Sequence, residues 1–272
     1  MSGNDVTIHP TAVVHPQARL EGGVWVGPHC LIGEHVSLGR NTRLDSHVAL
    51  TGWTEIGVDN VFSPFVSVGT EPQDVGYKDE PTRVRIGDRN VFREFVTVNR
   101  ATTKEERLTS IGSDNYLMAY AHVGHDCRVG DRTIFLHQGT LGGHVTVEDF
   151  ATVGALSAVH QFCRIGRYAF MGGGTLIVQD VLPFCRVVGQ RPTRVLGLNI
   201  IGLRRNGFSN ARIAALKDIY RIFFFSGLNT AQAVARIEAE CPPGEDREEI
   251  LRFIRAAKRG VVKKTSDAWD SE

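Results

Sequence analysis

Apolar side chains recur at every sixth position along most of this chain. The repeat runs from residue 8 to residue 68, resumes at residue 86, and restarts one residue out of phase at residue 111. An α-helix would repeat every 3.6 residues and a flat strand every two, so a period of six indicates neither. It is typical of a coil built from hexapeptides. The 26 positions are Ile8, Val14, Leu20, Val26, Ile32, Leu38, Leu44, Leu50, Ile56, Phe62, Val68, Ile86, Phe92, Val98, Ile111, Leu117, Val123, Val129, Phe135, Leu141, Val147, Val153, Val159, Ile165, Met171 and Ile177.

Each hexapeptide is expected to form one short side of a triangular coil. Three hexapeptides complete one turn, and each strand then pairs in parallel with the turns above and below it. Glycine directly follows 13 of the 26 apolar positions, and we expect it at the corners, where the backbone needs unusual dihedral angles. The sequence therefore predicts an all-β parallel β-helix over residues 1–190. Its left-handedness is expected from resemblance to known hexapeptide coils, because the spacing does not determine it.

Two polar segments interrupt the repeat, and we expect both to leave the coil as loops. Residues 70–83 contain Pro72, Gly76 and Pro81, and residues 99–110 are rich in polar and charged side chains. Long loops on a rigid scaffold often carry binding and catalytic residues. The two interruptions are therefore candidate parts of a functional site.

From about Ser209 the apolar period changes to that of an α-helix. Ser209 is a suitable N-cap for a first helix, and residues 230–240 and 245–258 predict two more. We therefore predict a C-terminal α-helical domain over residues 191–272, packed on the coil or on a partner. The polar tail beyond Gly260 is expected to be loose.

Composition narrows the class of function. The formal net charge of +1 gives no reason to expect nucleic acid as a partner. The first ten residues do not resemble a secretion signal, and no apolar run reaches the roughly 20 residues needed for membrane insertion. Five cysteines without a C-x-x-C pair indicate reduced interior thiols and a cytoplasmic protein.

The flat sides of such a coil also suit a closed threefold assembly, a homotrimer.

Four of the ten histidines are concentrated in the second half of the coil, at His122, His125, His144 and His160. The spacings from His125 to His144 and on to His160 are close to one turn, so these side chains are expected near one corner. They could cap backbone carbonyls, bind zinc as in the gamma-class carbonic anhydrases, or act as a general base with neighbouring ligand contacts. No paired nucleophilic serine or cysteine stands out, which favours direct transfer between two bound substrates.

Four longer segments resemble the UDP-N-acetylglucosamine O-acyltransferases of lipid A biosynthesis. They are PQDVGYKDEPTRVRIGDRN, GSDNYLMAYAHVGHDCRVG, AVHQFCRIG and NIIGLRRNGFS, and the similarity covers nearly the whole chain. The resemblance implies transfer of an (R)-3-hydroxyacyl group from acyl carrier protein to the 3-hydroxyl of UDP-N-acetylglucosamine, the first step of lipid A biosynthesis. It also implies a cytoplasmic homotrimer that uses no metal or other cofactor.

The same resemblance implies roles for single residues. His125 would be the general base, oriented by Asp126, which requires the backbone to turn a corner near Gly124. The backbone N–H of Gly143 would stabilise an oxyanion. Gly173 would be the acyl-chain ruler, leaving room for a hydroxymyristoyl rather than a hydroxydecanoyl group. Substrate contacts would come from Gln73, Asp74, His122, His144, His160, Gln161, Asn199 and Arg205, with the arginine near the diphosphate or phosphopantetheine.

The chain departs from the family pattern at the nucleotide-sugar end. Gly76 stands where many relatives have lysine, so Lys78 would have to reach instead. Ile201 replaces a usual glutamate, and Asn206 replaces a usual second arginine. The alternatives left open are transfer to the 3-amino sugar analogue, a zinc-dependent carbonic-anhydrase-like hydratase, and a scaffold without enzymatic activity. A related N-acyltransferase is a weaker alternative, because it carries an extra uridine-binding domain before the coil.

Overall fold

The computed structural model describes residues 5–263 of the 272-residue chain. Short strands occupy the first three quarters of this part and helices the rest. The strands are β1 (Thr7–Ile8), β2 (Val13–Val14), β3 (Arg19–Leu20), β4 (Trp25–Val26), β5 (Leu31–Ile32), β6 (Val36–Leu38), β7 (Arg43–Leu44), β8 (Ala49–Leu50), β9 (Trp53–Ile56), β10 (Val61–Phe62), β11 (Ser67–Thr70), β12 (Arg83–Ile86), β13 (Val91–Phe92), β14 (Thr97–Asn99), β15 (Leu108–Ile111), β16 (Tyr116–Leu117), β17 (His122–Val123), β18 (Arg128–Val129), β19 (Ile134–Phe135), β20 (Thr140–Leu141), β21 (Thr146–Val147), β22 (Thr152–Val153), β23 (Ala158–Val159), β24 (Arg164–Ile165), β25 (Phe170–Met171), β26 (Leu176–Ile177), β27 (Cys185–Val188) and β28 (Arg194–Leu198). The helices are α1 (Ile200–Arg205), α2 (Asn210–Phe225), α3 (Thr230–Glu240) and α4 (Glu245–Ala256).

The strands form the three sides of a triangular prism. Through most of the coil, strands three apart in the chain are hydrogen-bonded neighbours. Sheet A contains every third strand from β1 to β25, followed by β27 and β28; sheet B contains every third strand from β2 to β26, and sheet C every third strand from β3 to β24. Neighbours are parallel except β27 and β28, which pair antiparallel. This arrangement confirms the predicted left-handed parallel β-helix.

The register confirms the predicted turn length and shows where it changes. Trp25 pairs with Arg43, eighteen residues later. Across the first interruption Val61 pairs with Val91, and across the second Val91 pairs with Tyr116. The additional residues leave the prism as loops, so the sheets continue without a break.

The core consists of the repeat positions stacked along the axis of the prism. Of the 26, all are buried except Ile8, Val14 and Leu20. These three belong to the first turn, which has no turn beneath it in the described part of the chain. Phe62 and Phe92 stack face to face with ring centroids 4.6 Å apart, which shows how closely successive turns repeat each other.

The expected role of the glycines is wrong. Of the thirteen that follow a repeat position, Gly69 alone has a left-handed φ; the left-handed residue is the third after the repeat position, and it is usually not glycine, as at Asn41 and Tyr120. The glycines are needed for another reason. A Cβ at Gly39 would lie 2.5 Å from the carbonyl carbon of Gly57 in the next turn, so the close approach of successive turns excludes a side chain.

The helices cover the C-terminal end of the coil. Helix α2 begins after Ser209, whose hydroxyl accepts a hydrogen bond from the N–H of Arg212, and α2, α3 and α4 match the three predicted helices. The Tyr220 hydroxyl donates to the carbonyl of Pro183, and Arg167 in the coil pairs with Glu249 of α4 at 3.1 Å. The sequence pattern does not predict the short α1, and the division of the chain at residue 190 stays a prediction.

The start of the predicted loose tail is in fact packed. Val261 and Val262 are buried, and the N–H of Val262 donates to the carbonyl of Asp180. The rest of the predicted tail, from residue 264, lies outside the described residues. All five cysteines are buried free thiols, as the sequence predicts. Within residues 5–263, none of the helices combines the length and apolar composition needed to cross a bilayer.

Candidate functional site

Three features meet on the edge where sheet B passes into sheet C, which we call the B/C edge. The first loop joins β11 to β12, the second joins β14 to β15, and His125 and Asp126 lie between β17 and β18. Strands β11, β14 and β17 are successive neighbours in sheet B. Both loops therefore leave the coil in the two turns directly before the turn of His125.

A buried arginine fastens the two loops to each other and to the coil. The Arg100 guanidinium, in the second loop, donates to the Tyr77 hydroxyl at 2.8 Å and to an Asp79 carboxylate oxygen at 3.1 Å, both in the first loop. It also donates to the carbonyl of Gly69 at 3.1 Å. Only 7% of this side chain is exposed. The loops are thus ordered parts of the edge.

His125 and Asp126 form a hydrogen-bonded pair at the corner. Nδ1 of His125 lies 2.8 Å from Oδ2 of Asp126. Adjacent strand residues would point to opposite faces, but Asp126 has a left-handed φ of 59°, which turns its side chain to the same side as the imidazole. The sequence predicts that the backbone turns near Gly124. In the structure, the residue that turns the corner is Asp126 itself.

The carboxylate of Asp126 is held by further donors. Its Oδ2 accepts hydrogen bonds from the N–H of Thr102 at 3.0 Å and from the Thr102 hydroxyl at 2.8 Å. Its own N–H donates to the Thr109 hydroxyl at 2.9 Å. Burial by itself would raise the pKa of Asp126, but the hydrogen bonds from His125 and Thr102 outweigh it and leave the pKa below its usual value. Asp126 is therefore an anion at neutral pH.

Gly143 lies against the imidazole of His125 in the next turn. A Cβ at this position would be 2.3 Å from Cε1 and 2.6 Å from Nε2 of His125. The N–H of Gly143 has no acceptor among the described residues. The glycine thus leaves space and a free donor beside Nε2, the nitrogen that does not face Asp126.

His144 stands over the same pair, between two carboxylates. Its ring lies 5.1 Å from that of His125, centroid to centroid, and nearly perpendicular to it. Nε2 of His144 is 3.7 Å from Oδ2 of Asp126, and Nδ1 is 3.1 Å from Oε1 of Glu105. On its other side the ring stacks on Phe162 at 4.4 Å. The neighbour of His144 in the next turn is therefore Phe162 and not His160.

The other predicted histidines lie on the same edge. Nδ1 of His122 is 2.7 Å from the hydroxyl of Thr97, and burial, followed by the charge of His125, lowers the pKa of His122. His160 and Gln161 follow β23 and are exposed, and Nδ1 of His160 lies 3.0 Å from the carbonyl oxygen of Gln161. These side chains extend the site one turn beyond His144.

The first loop brings Asp74 to the site. One of its carboxylate oxygens accepts the N–H of Gly76 at 2.8 Å, and the other contacts Nζ of Lys104 from the second loop. The hydrogen bond from Lys104 is the main cause that lowers the pKa of Asp74, and His125 also contributes. Gln73 precedes it and is exposed.

Asn199, Arg205 and Gly173 lie elsewhere on the prism. Asn199 and Arg205 line a groove of about 650 Å³ between the outer face of sheet A and α1, and side A is opposite the B/C edge. The Asn199 amide caps α1 by accepting the N–H of Gly202 at 3.2 Å. Gly173 is at the edge between sheets A and B, where a Cβ would meet only the carbonyl oxygen of Ala155, at 3.5 Å. One subunit therefore does not bring these residues to His125.

Five residues of the site are not predicted from the sequence, four of them in or at the end of the second loop. These residues are Thr97, Thr102, Lys104, Glu105 and Thr109. The available signal was the polar interruption itself, because a loop that shifts the repeat by one residue must be held by contacts outside the core. Which of its side chains turn inward is decided by the fold.

The cluster has the side-chain types of a metal site. Ligand atoms of His125, Asp126 and His144 all lie within 4.8 Å of one another. Two imidazoles and one carboxylate are a known zinc set. In this protein, however, Oδ2 of Asp126 already accepts three hydrogen bonds, and these fit a residue that orients His125.

Comparisons with known proteins agree with the motifs. A family model described as UDP-N-acetylglucosamine O-acyltransferase, domain 2, matches residues 180–262. The acyl-[acyl-carrier-protein]–UDP-N-acetylglucosamine O-acyltransferase of Syntrophobacter fumaroxidans is 46% identical over 256 residues, which are 94% of this chain and 99% of that protein. The corresponding protein of Stenotrophomonas maltophilia R551-3 is 44% identical over 97% of this chain and 100% of its own.

Solved structures show the same likeness along the whole coil and the helices. LpxA from Acinetobacter baumannii is 40% identical and superposes with a TM-score of 0.91 over 94% of this chain and 99% of its own. The Francisella novicida UDP-N-acetylglucosamine acyltransferase is 34% identical with a TM-score of 0.92, over 97% of this chain and 96% of its own. Sequence identity at this level over nearly the full length extends well beyond a shared coil. The chain belongs to the acyl-[acyl-carrier-protein]–UDP-N-acetylglucosamine O-acyltransferase family.

Proposed function

We propose that this protein transfers an (R)-3-hydroxyacyl group from acyl carrier protein to the 3-hydroxyl of UDP-N-acetylglucosamine, the first step of lipid A biosynthesis. The observation that carries the proposal is the pair of His125 and Asp126 beneath Gly143. It provides a base, its orienting anion and a free N–H donor within one small volume. Direct transfer needs these three groups and no protein nucleophile.

His125 takes the proton of the sugar hydroxyl. Its Nδ1 faces the anionic Asp126, which fixes the tautomer with hydrogen on Nδ1 and the lone pair on Nε2. As Nε2 accepts the proton, the hydroxyl oxygen attacks the thioester carbonyl carbon. The imidazolium that forms is stabilised by the adjacent Asp126 carboxylate.

The tetrahedral intermediate collapses by expelling the thiol of the phosphopantetheine arm. The carbonyl oxygen becomes an oxyanion beside the N–H of Gly143, which has no competing acceptor in the described chain. When the C–S bond breaks, the proton on His125 returns to the leaving sulfur. The products are the acylated nucleotide sugar and free acyl carrier protein, and the base is regenerated.

The remaining residues of the B/C edge hold the nucleotide sugar in this proposal. His122, with its pKa lowered by burial, offers a neutral imidazole close to the base. Asp74, His144, His160 and Gln161 line the same edge from the first loop and two successive turns. Gln73 is exposed beside Asp74, where it can reach a bound ligand.

We also propose that the working enzyme is a cytoplasmic homotrimer. The support is geometric, because Asn199 and Arg205 lie on side A, opposite the B/C edge of the same subunit. A threefold arrangement of prisms can present side A of one copy to the B/C edge of the next. Arg205 would then reach the phosphates of a substrate bound at His125, and the five free thiols fit a reducing compartment.

The alternatives receive less support. Relatives that match nearly the whole chain are named as O-acyltransferases of UDP-N-acetylglucosamine, which favours the 3-hydroxyl over the 3-amino sugar. They also favour acyl transfer over a zinc-dependent hydratase. A scaffold without enzymatic activity would not need the hydrogen-bonded pair of His125 and Asp126 beneath Gly143.

The decisive experiment uses the full-length protein with hydroxymyristoyl acyl carrier protein and either UDP-N-acetylglucosamine or its 3-amino analogue. The proposal expects transfer to the hydroxyl acceptor and a loss of at least about 10³-fold in His125→Ala. Transfer only to the amine would correct the acceptor. No transfer by the wild type, or full activity in the variant, would overturn the mechanism. If the wild type instead hydrates carbon dioxide in a zinc-dependent reaction, the hydratase alternative replaces the proposed acyl transfer.

A further inference from the structure

Lys104 reaches from the second loop across to the first. Its Nζ contacts Oδ2 of Asp74, and its backbone N–H donates to the hydroxyl of Thr102 at 3.2 Å. The same hydroxyl donates to Asp126, the partner of His125. The backbone of Lys104 is therefore linked to Asp126 through Thr102, while the Lys104 side chain is 60% exposed.

The surrounding charge is negative. Asp74, Asp126 and Glu105 all face this part of the B/C edge, and Glu105 is shared between His144 and Arg128. A nucleoside diphosphate sugar brings two further negative charges to the same place. Cations near these carboxylates reduce their repulsion toward the diphosphate, and Lys104 is the one whose ammonium contacts Asp74.

The first loop, which the structure describes in full, itself places no cation beside Asp74. Gly76, whose N–H donates to Asp74, carries no charge, and Lys78 is the nearest lysine in this loop. The N–H of Lys78 donates to the carboxylate of Glu80 at 2.9 Å, and the residue is exposed. Lys104 instead has its ammonium on Asp74, beside the glycine.

We propose that Lys104 binds the diphosphate of the nucleotide sugar and supplies the cation beside Asp74 that the first loop lacks. This inference rests on the proposed function and names a residue of the acceptor site in the second loop. An ammonium group has three N–H donors. Contact with Asp74 occupies one of them, and the exposed position of the side chain leaves the others for phosphate oxygens.

The test compares four full-length proteins by steady-state kinetics with hydroxymyristoyl acyl carrier protein and UDP-N-acetylglucosamine. They are the wild type, Lys104→Ala, the matched control Lys78→Ala, and the double variant Gly76→Lys with Lys104→Ala. Gly76 lacks a left-handed φ, and its Cβ would meet only Oδ1 of Asp74, at 3.2 Å, so the double variant requires that carboxylate oxygen to move by a few tenths of an ångström. Thermal unfolding verifies that all four are folded.

Lys104→Ala is expected to raise the KM for UDP-N-acetylglucosamine about tenfold, with kcat and the KM for acyl carrier protein changed less than about threefold. The increase should shrink at high salt, as a contact between exposed charges does. The KM of Lys78→Ala for UDP-N-acetylglucosamine should stay close to that of the wild type. In the double variant, Gly76→Lys should reverse most of the KM increase caused by Lys104→Ala.

Two outcomes contradict the inference while leaving the proposed function intact. In one, the wild type transfers the acyl group and Lys104→Ala has an unchanged KM for the nucleotide sugar. In the other, Lys78→Ala shows the larger increase in the KM for UDP-N-acetylglucosamine, and Lys78 is then the lysine that binds the diphosphate. A wild type that acylates no sugar contradicts the proposed function itself.

Discussion

The imidazole of His125 lies against Gly143 of the next turn, so closely that a methyl group on Gly143 would be 2.3 Å from Cε1 of the ring. A distance this short is excluded by van der Waals repulsion. The ring can therefore keep its place on Asp126 only while position 143 has no side chain. The coil itself, which stacks residues of successive turns, creates this dependence.

Gly143→Ala should consequently lose activity with little loss of stability. The methyl group would push the imidazole off its hydrogen bond to Asp126, and we expect kcat to fall by at least about 10²-fold. Steady-state kinetics and thermal unfolding measure the two effects. Gly244→Ala is the matched control, because a Cβ there meets nothing within 4 Å; equal activity in both variants would contradict the proposed geometry.

Removing the charge of Asp126 should slow the chemical step. Asp126→Asn keeps the size of the side chain but no longer stabilises the imidazolium, so kcat should fall about 10²-fold with both KM values nearly unchanged. Thr102 donates to Asp126 through both its N–H and its hydroxyl. Thr102→Val removes the hydroxyl and keeps the N–H, so kcat should fall about threefold to tenfold. A larger loss in Thr102→Val than in Asp126→Asn would not fit an orienting role for the threonine.

Gly173→Met should shift the acyl-chain preference. A Cβ at Gly173 has room, with only the carbonyl of Ala155 nearby at 3.5 Å, so a longer side chain can extend into open space without disturbing the coil. We expect the wild type to prefer hydroxymyristoyl and the variant to prefer hydroxydecanoyl acyl carrier protein. Competition between the two donors measures this, and a wild type that already prefers the shorter chain would refute Gly173 as the ruler.

The attachment of α4 to the coil should depend on pH. Burial raises the pKa of Glu249 to about 7, against the opposing effect of Arg167. Between the ordinary pKa of the carboxyl and about 7, the folded protein then holds more protons than the unfolded chain. The free energy of unfolding should therefore fall as pH rises through that window, by roughly 2–3 kcal/mol.

Denaturant unfolding of the wild type and of Glu249→Gln at pH 5 and pH 8 measures this effect. The variant is neutral at both values, so its stability should decline less than that of the wild type over the same interval. Glu238→Gln is a suitable control, because Glu238 pairs with Arg255 on the exposed surface of the helices. Identical pH dependence in all three proteins would contradict the raised pKa of Glu249.

Replacing a glycine between turns should destabilise the coil far more than replacing a left-handed corner residue. In Gly39→Ala the new Cβ would lie 2.5 Å from the backbone of Gly57, and a loss of about 1–3 kcal/mol is expected. Asn41→Gly, at a left-handed corner two residues later, should change stability by less because glycine adopts that conformation freely. Chemical unfolding distinguishes the two.

The predictable part of this protein is the part that repeats. The six-residue period places Val26 and its successors in the core, fixes the eighteen-residue turn, and thereby puts His125 and His144 in neighbouring turns. The loops appear as interruptions of the period, and the helices as a change of period from Ser209 onward. Each follows from local backbone geometry, because a coil with a constant repeat translates position in the chain directly into position in space.

The tertiary structure decided what the repeat leaves open. The spacing does not show that Asp126 itself turns the corner, that Phe162 and not His160 lies on His144, or that the glycines allow successive turns to approach each other closely. Nor does it place Thr102 and Lys104 at the site, because an irregular loop has no period and its contacts depend on Arg100 and the neighbouring loop. The sequence by itself thus determined the scaffold and the placement of His125 and His144 in neighbouring turns. The surroundings of His125 were decided by packing between turns and loops, where side-chain volume and hydrogen-bond geometry are set by residues distant in the chain.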